Sequence, residues 1–265
     1  MGESEYLLTN ADPATVDRFG GLERTFDDLS IAHLARAGLS PGGRCLEIGA
    51  GGGSIARWMA VQVGASGRVL ALDLDTRWFQ HDGSPQLEAR NVDVVTDPIP
   101  EGRWDLIHER LVLVHIPARL DVLDKLVASL APGGWIIVED YDTAEVRTTD
   151  RDGPDHELLD LMLRAFNGLL AGRGAANSFG ANALRHLRDR GLVETGASGH
   201  VVVGTGGDDY TRVIAANTRQ VWDGFVAQGV PESDLERYLQ LLDDPDTIVG
   251  SPVLMTAWGR KPPTS

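Results

Sequence analysis

From residue 44 onward the chain alternates short apolar runs with amphipathic stretches. The runs 44–48, 68–73, 91–95, 104–108 and 134–139 have the length and composition of buried strands. Between them, 53–63 and 118–130 carry apolar residues at helical spacing, and 76–82 is a shorter candidate. This alternation predicts an α/β fold, a doubly wound, mostly parallel sheet with crossover helices. The turn Pro132-Gly133-Gly134 stops one helix and starts the buried strand around Trp135-Ile136-Ile137-Val138.

The flanks read differently. In 13–38, Val16, Phe19, Leu22, Phe26, Leu29 and Leu34 recur at helical spacing and predict two short helices before the turn Leu39-Ser40-Pro41-Gly42-Gly43. Past residue 150, 155–172 and 181–190 predict helices, with Gly191 a stop for the second. Val193 to Val203 and Ser251 to Trp258 then bring the expected strands to seven, separated by roughly fifty residues of helical periodicity at 208–228 and 232–243. The expected organisation is a helical lid over 1–40 and a ligand-binding domain over 41–265, with helical insertions at about 150–191 and 207–249. Open parallel sheets bind ligands at their carboxyl edge, so the insertion between the last two strands is placed to cover a ligand there.

Candidate chemistry begins at Cys45-Leu46-Glu47-Ile48-Gly49-Ala50-Gly51-Gly52-Gly53-Ser54. A strand here turns through glycines directly into a helix, whose amino end directs amide groups and a positive dipole at the loop. That suits any adenine-containing cofactor. The dinucleotide fingerprint wants a small residue three positions after its second glycine, and Gly51 to Ser54 meets that imperfectly. Val69-Leu70-Ala71-Leu72-Asp73 is a strand ending in an acid placed for two ribose hydroxyls, followed by Leu74; Asp75 is an adjacent alternative that suits a helix cap. Asn91-Val92-Asp93 ends the third strand, and Arg103-Trp104-Asp105-Leu106-Ile107-His108 forms the fourth.

The order of glycine loop, ribose acid, third-strand acid and Pro-Gly-Gly strand across 44–140 resembles class I S-adenosylmethionine (SAM)-dependent methyltransferases. The resemblance implies a Rossmann-like methyltransferase fold with added helices forming a lid, and SAM as cofactor, leaving S-adenosylhomocysteine (SAH). It implies a cofactor set of Glu47, Gly49, Ala50, Gly51, Gly53, Ser54, Asp73, Leu74, Val92, Asp93, His108 and Glu109. Within that set Glu47 lies near the methionine end and Asp93 near the adenine amino group. Tyr6-Leu7-Leu8-Thr9-Asn10 and Leu254-Met255-Thr256-Ala257-Trp258-Gly259 resemble methyltransferases of actinobacterial secondary metabolism, whose acceptors include phenols, sugars, amines and indole carbons.

The acceptor side offers candidates for catalysis. Glu109, just past the fourth strand, could deprotonate or orient a hydroxyl, indole or amine, or instead pair with Arg110. His115 is a base with a near-neutral pKa, or a loop and cap residue. Tyr6 sits in an N-terminal segment that in related enzymes closes over the site. No Asn-Pro-Pro-Tyr or Asp-Pro-Pro-Tyr stretch and no Pro-Cys nucleophile occurs, which argues against nucleic-acid base methylation. The acids Glu139, Asp140 and Asp142 lack a second metal-binding pair, and the seven histidines lack zinc spacing, so no metal is expected.

Bulk properties narrow the partners. A net charge of -15 disfavours a phosphate polymer, and no apolar run is long enough for a bilayer. One cysteine, Cys45, and an N-terminus without signal-peptide character suggest a cytoplasmic protein. The expectation is methyl transfer to a small organic acceptor, with no nucleic-acid or membrane partner and a possible homo-oligomer. Two alternatives stay open: an NAD-dependent oxidoreductase, and a SAM-fold protein catalysing a reaction other than methylation.

Overall fold

A computed structural model describes residues 7–8, 15–100, 102–144 and 151–264. The strands are β1 (Arg44–Ile48), β2 (Arg68–Asp73), β3 (Leu87–Asn91), β4 (Trp104–Arg110), β5 (Leu130–Asp142), β6 (Val193–His200), β7 (Val203–Thr205), β8 (Ile248–Gly250) and β9 (Val253–Arg260). The helices are α1 (Thr15–Arg36), α2 (Ser54–Val63), α3 (Arg119–Ser129), α4 (His156–Gly172), α5 (Phe179–Asp189), α6 (Asp209–Gln220), α7 (Trp222–Ala227) and α8 (Glu232–Asp243).

Seven strands form one sheet in the order β3-β2-β1-β4-β5-β9-β6, and β7 pairs with β8 in a small separate ribbon. Strands β1 to β5 run parallel, and β9 is antiparallel to both β5 and β6. The winding reverses between β1 and β4, which opens a crevice at their carboxyl ends.

The strands are apolar on both faces, as a sheet covered on both sides requires. Leu46, Ile48, Leu70, Ile107 and Val138 enter one buried cluster with Val122, Leu126 and Leu187 from α3 and α5. Cys45, Val69, Leu106 and Ile137 point the other way, to Leu34 of α1 and Met59 of α2. A third cluster, including Phe26, Met162, Phe225 and Tyr238, joins α1 to α4 and to the helices between β6 and β9. These helices and α4 form the lid, whereas α5 packs against β5 and β9 as part of the sheet's helical layer.

Several boundaries depart from the sequence expectation: the strand expected at 91–95 is Leu87–Asn91, the run from Val193 to Val203 divides between β6 and β7, and 208–228 divides into α6 and α7. Residues 15–36 make one helix, not two, because Gly21 of the Gly20-Gly21 pair serves close packing instead of a break. A Cβ at Gly21 would meet the Val213 side chain and lie 3.2 Å from the Asp209 carbonyl, so the bare glycine lets α6 approach. Strand β3 ends at Asn91, and Asp93 lies beyond it. The Asp93 carbonyl accepts from Thr96 and Asp97 at 3.1 and 2.7 Å, and that turn takes the backbone out of the sheet despite the apolar Val92, Val94 and Val95. Strand β5 begins at Leu130, with the Pro132-Gly133-Gly134 turn carried as a bulge inside it.

Candidate active site

One cavity of about 280 Å³ runs from the glycine loop to the lid. Its sheet-side wall is made by residues at and just past the carboxyl ends of β1 to β5, and α1, α4, α6, α7 and α8 supply most of the remainder, with Leu8, the start of α2 and Pro252. Of the sequence-derived cofactor set, Glu47, Gly49, Ala50, Gly51, Ser54, Asp73, Leu74, Val92 and Asp93 line it. Gly53, His108 and Glu109 lie outside the lining. Tyr6 and Asn10 lie outside the described residues.

The glycine loop is shaped by close approach. Gly49 has φ +67, and a Cβ there would run into Val112 Cγ2, so a side chain is excluded both by conformation and by space. The loop is fixed to β2 through Asp73. Its Oδ2 accepts from the Gly51 amide at 2.9 Å and its Oδ1 from the Asp75 amide at 3.1 Å. Burial raises the Asp73 pKa, and these amide bonds counter the rise. A carboxylate has about four acceptor positions, so these bonds leave acceptor capacity for a ligand hydroxyl. Asp93 Oδ1 accepts from the Val95 amide at 2.9 Å, which orients its carboxylate at the cavity wall. Asp75 accepts from the Arg77 amide and caps the short turn Thr76–Trp78, as its cap reading anticipated.

Beneath the loop is a charged network on the α1 face of the sheet. Glu47 and His108 are register partners, so their side chains share that face. His108 Nδ1 lies 2.8 Å from Glu47 Oε2, and its Nε2 lies 3.2 Å from Glu139 Oε2. Thr256 donates to Glu139 at 3.0 Å, and Ser30 of α1 donates to it as well. Arg110 then donates to Ser30 and to Asp27, each at 2.9 Å. Burial alone would depress the His108 pKa, but the two carboxylates outweigh it and carry it up to about 10. Burial would raise Glu139, yet its bonds to His108 and Ser30 hold it down at about 2. Glu47 is raised by burial, which its partner His108 offsets only in part. His108 is therefore an imidazolium clamped between two acids, set behind Glu47 and away from the cavity.

Glu109, the next residue, points to the opposite face. It is fully buried, and its Oε2 accepts weakly from the amides of Val112 and Leu113 at 3.2 and 3.3 Å. Asp140, also fully buried, accepts from Val114 at 3.2 Å. Burial and then the Asp140 charge push Glu109 well up, and Asp140 rises to about 7. Two facing acids bonded to each other must share a proton. Together they hold the turn Leu113–His115 from behind. The proposed pairing with Arg110 does not form, because Arg110 follows the other face to Asp27.

His115 does line the cavity. Burial, then the charges of Arg18 and Arg119, lower its pKa to about 4, so the ring is neutral at physiological pH. Between it and β4 lies Leu111, held at φ +56 in the left-handed region and also on the cavity wall. Such strain persists where surrounding structure enforces it, often at functional sites.

Sequence reasoning did not single out Arg18, Tyr141, Asn167 or Asn217, all of which face the cavity. Asn217 was discoverable. It shares a helical stripe with Tyr210, Val213 and Ile214, and an amide on an apolar stripe needs a reason. The acids Glu139 and Asp140 diverge to opposite faces of β5. Among the described residues no group of three or more His, Cys, Asp or Glu side chains is placed to hold a metal, and no helix is long and apolar enough to cross a membrane.

Residues 22–192 match the family model of a methyltransferase domain. The methyltransferase str2 of Strobilurus tenacellus is 36% identical over 103 residues, 38% of this chain and 37% of that protein. A ubiquinone biosynthesis O-methyltransferase of Burkholderia orbicola (strain MC0-3) is 26% identical over 150 residues, 49% of this chain and 63% of that protein. The chain thus spans between a third and two thirds of the length of these curated relatives. In fold it resembles Haemonchus contortus phosphoethanolamine N-methyltransferase 2 in complex with SAM, with TM-score 0.60 and 14% identity over 100% of this chain and 60% of that one. It also resembles a cyclopropane-fatty-acyl-phospholipid synthase-like protein of Lactobacillus casei, with TM-score 0.54 and 19% identity over 97% and 96% of the two chains.

Proposed function

Because the chain belongs to the methyltransferase-domain family, we propose that it transfers a methyl group from SAM to oxygen, nitrogen or an indole carbon of a small organic acceptor. The setting we assign is secondary-metabolite biosynthesis, on the resemblance carried by the segments around Leu8 and Met255. The observation that supports the reaction is one continuous cavity, which joins a loop fitted to SAM to an apolar chamber under the lid.

The fit to SAM rests on particular atoms. Asp73 keeps acceptor capacity for a ribose hydroxyl after binding backbone amides. Asp93 stands at the wall for the adenine amino group, and Glu47, backed by His108, offers negative charge toward the methionine ammonium. The glycines leave the loop bare where a ligand must lie against backbone. When bound, SAM supplies an activated methyl group. The chain's part is to exclude water with the lid and to align the acceptor, which together account for most of the acceleration such a reaction needs. Neutral His115 can accept a hydrogen bond from the acceptor's O–H or N–H and fix its direction. With a pKa of about 4 it orients an alcohol or phenol better than it deprotonates one.

A thermal-shift series with SAM, SAH and NAD tests the reading, since a ligand bound only by the native state raises the melting temperature. SAM and SAH are expected to stabilise and NAD to leave the protein unchanged. Stabilisation by NAD alone would overturn the assignment.

A further inference from the structure

We propose that the lid side of the cavity accepts an uncharged, ring-bearing molecule, and that the Asn217 amide reads a polar group on it. The proposal rests on the methyl-transfer reading above and extends it to the class of acceptor.

The charged groups lining the cavity come from α1 and the strand ends: Arg18, Glu23, Glu47, Asp73, Asp93 and Arg110. Arg110 is already bound to Asp27, and Arg18 lies over the ring of its neighbour Phe19, 5.1 Å from the centroid. The lid contributes no acid, lysine, arginine or histidine to the lining among the described residues. Its wall is instead Met162, Phe166 and Leu170 of α4, Val213 of α6, Phe225 of α7 and Tyr238 of α8. Phe166 and Phe225 lie 6.4 Å apart with ring planes tilted 33° to one another. Tyr141 and Tyr210 hydrogen-bond each other, and burial raises the pKa of both and of Tyr238, so all three stay neutral. A cationic amine or a phosphate entering this chamber would leave its hydration shell and find no countercharge on the lid, which is strongly unfavourable. A flat neutral ring loses little hydration and gains aromatic and thioether contacts.

The polar lid groups differ in how far the protein itself satisfies them. Thr218 donates to the Ile214 carbonyl at 2.9 Å and is committed to its own helix. Asn217 is not: its Oδ1 is buried without a hydrogen-bond partner. The amide borders the cavity, and a half-turn about its last bond exchanges oxygen and nitrogen. It can thus present either a donor or an acceptor to a ligand, and turned outward the oxygen gains the partner it lacks.

The test uses 2-naphthol and naphthalene as neutral probes, and phosphoethanolamine, glycine and 2-naphthoate as charged ones. Each is titrated into the full chain by thermal shift, with and without saturating SAH. We expect 2-naphthol to bind about tenfold more tightly than naphthalene, and the charged probes not to bind. Asn217→Leu should erase most of that tenfold preference while leaving the SAH shift unchanged; Asn217→Ala gives the same comparison should leucine disturb the fold. Tighter binding of any charged probe, including 2-naphthoate at Arg18, would overturn the acceptor class. A naphthol preference that survives both substitutions would remove Asn217 from the role. Failure of 2-naphthol to bind in either condition would sink the proposal alone, whereas failure of SAH to stabilise would sink the methyl-transfer reading beneath it.

Discussion

Replacing His108 with glutamine retains a hydrogen-bonding group between Glu47 and Glu139 but removes the positive charge that both carboxylates face. Its nitrogens lie 2.8 and 3.2 Å from the two acids, and all three side chains are buried. The size of the effect can be reached by two routes. A histidine pKa carried from 6.5 to about 10 corresponds to on the order of 5 kcal/mol favouring the folded, protonated state. Removing one partner of a buried ion pair independently costs about 3–5 kcal/mol. For a domain of this size that is a melting temperature lower by roughly 10 °C.

The pH dependence identifies the cause. A folded-state pKa above the unfolded value gives stability fully present below about pH 6.5 and lost as pH rises toward about 10. Urea midpoints of the native protein should therefore fall across that interval. In His108→Gln the two acids face each other without the cation, and protonation of Glu47, already raised by burial, becomes the relief. The pH-dependent loss then begins lower, just above the ordinary carboxylate range. SAH affinity should also weaken more at pH 6 than at pH 8, because a protonated Glu47 no longer attracts the ammonium. A variant within about 1 kcal/mol of the native protein, or one retaining the native pH slope, would refute the clamp.

Three further substitutions bear on the site. Glu109→Gln replaces one acid of a proton-sharing pair with a neutral donor, so turnover should stay within about twofold and stability within roughly 1 kcal/mol at neutral pH. Because the raised Glu109 pKa makes the native pair lose stability as pH rises above the usual carboxylate range, the variant should compare best with native protein at pH 8–9 in urea melts. A large loss of turnover would return Glu109 to the chemistry. Asp73→Asn sets an amide nitrogen against one of the two backbone donors, and calorimetry should show SAH binding weakened about 10- to 100-fold. Unchanged affinity would remove the ribose role. His115→Gln should lower turnover about tenfold or more with SAH affinity intact. Since the His115 pKa lies near 4, below its unfolded value of 6.5, its contribution to stability is present above about pH 6.5 and is lost as pH falls toward 4. A native rate profile with an acid limb near pH 6.5 would contradict this.

The parts of the site that were readable in the sequence are those in which chemistry is compressed into neighbouring residues. The glycine loop and Asp73 are short local patterns, and the backbone bonds between Gly51 and Asp73 show why the two occur together. The cap role of Asp75 was readable for the same reason. The end of β3 was not, because Val92, Val94 and Val95 are good strand formers that a single Asp93 turn draws out of the sheet. The continuous α1 was hidden by Gly20-Gly21, because the use of Gly21 depends on α6, far away in the chain. That helices beyond residue 150 would cover the ligand was legible, but which faces of α4, α6 and α8 meet there was not, since those are fixed only by how the helices dock.

The adjacent pair His108-Glu109 shows what strand alternation adds to a motif. Sequence proximity to the cofactor loop made both residues candidates for direct contact, yet a strand sends neighbours to opposite faces. His108 goes toward α1, where Glu47, Glu139 and Ser30 make it the charged support behind the cofactor side of the cavity. Glu109 goes the other way and holds the turn that carries His115. Both therefore act through a residue that does reach the cavity, one through Glu47 and one through His115. Helix α1 extends the first of these supports to the lid: Ser30 and Asp27 bind the sheet network, while Gly21 and Arg24 meet α6. The helix that steadies Glu47 on the cofactor side thus also sets the position of the helix bearing Asn217, so cofactor and acceptor are held in one frame, as alignment-driven transfer requires.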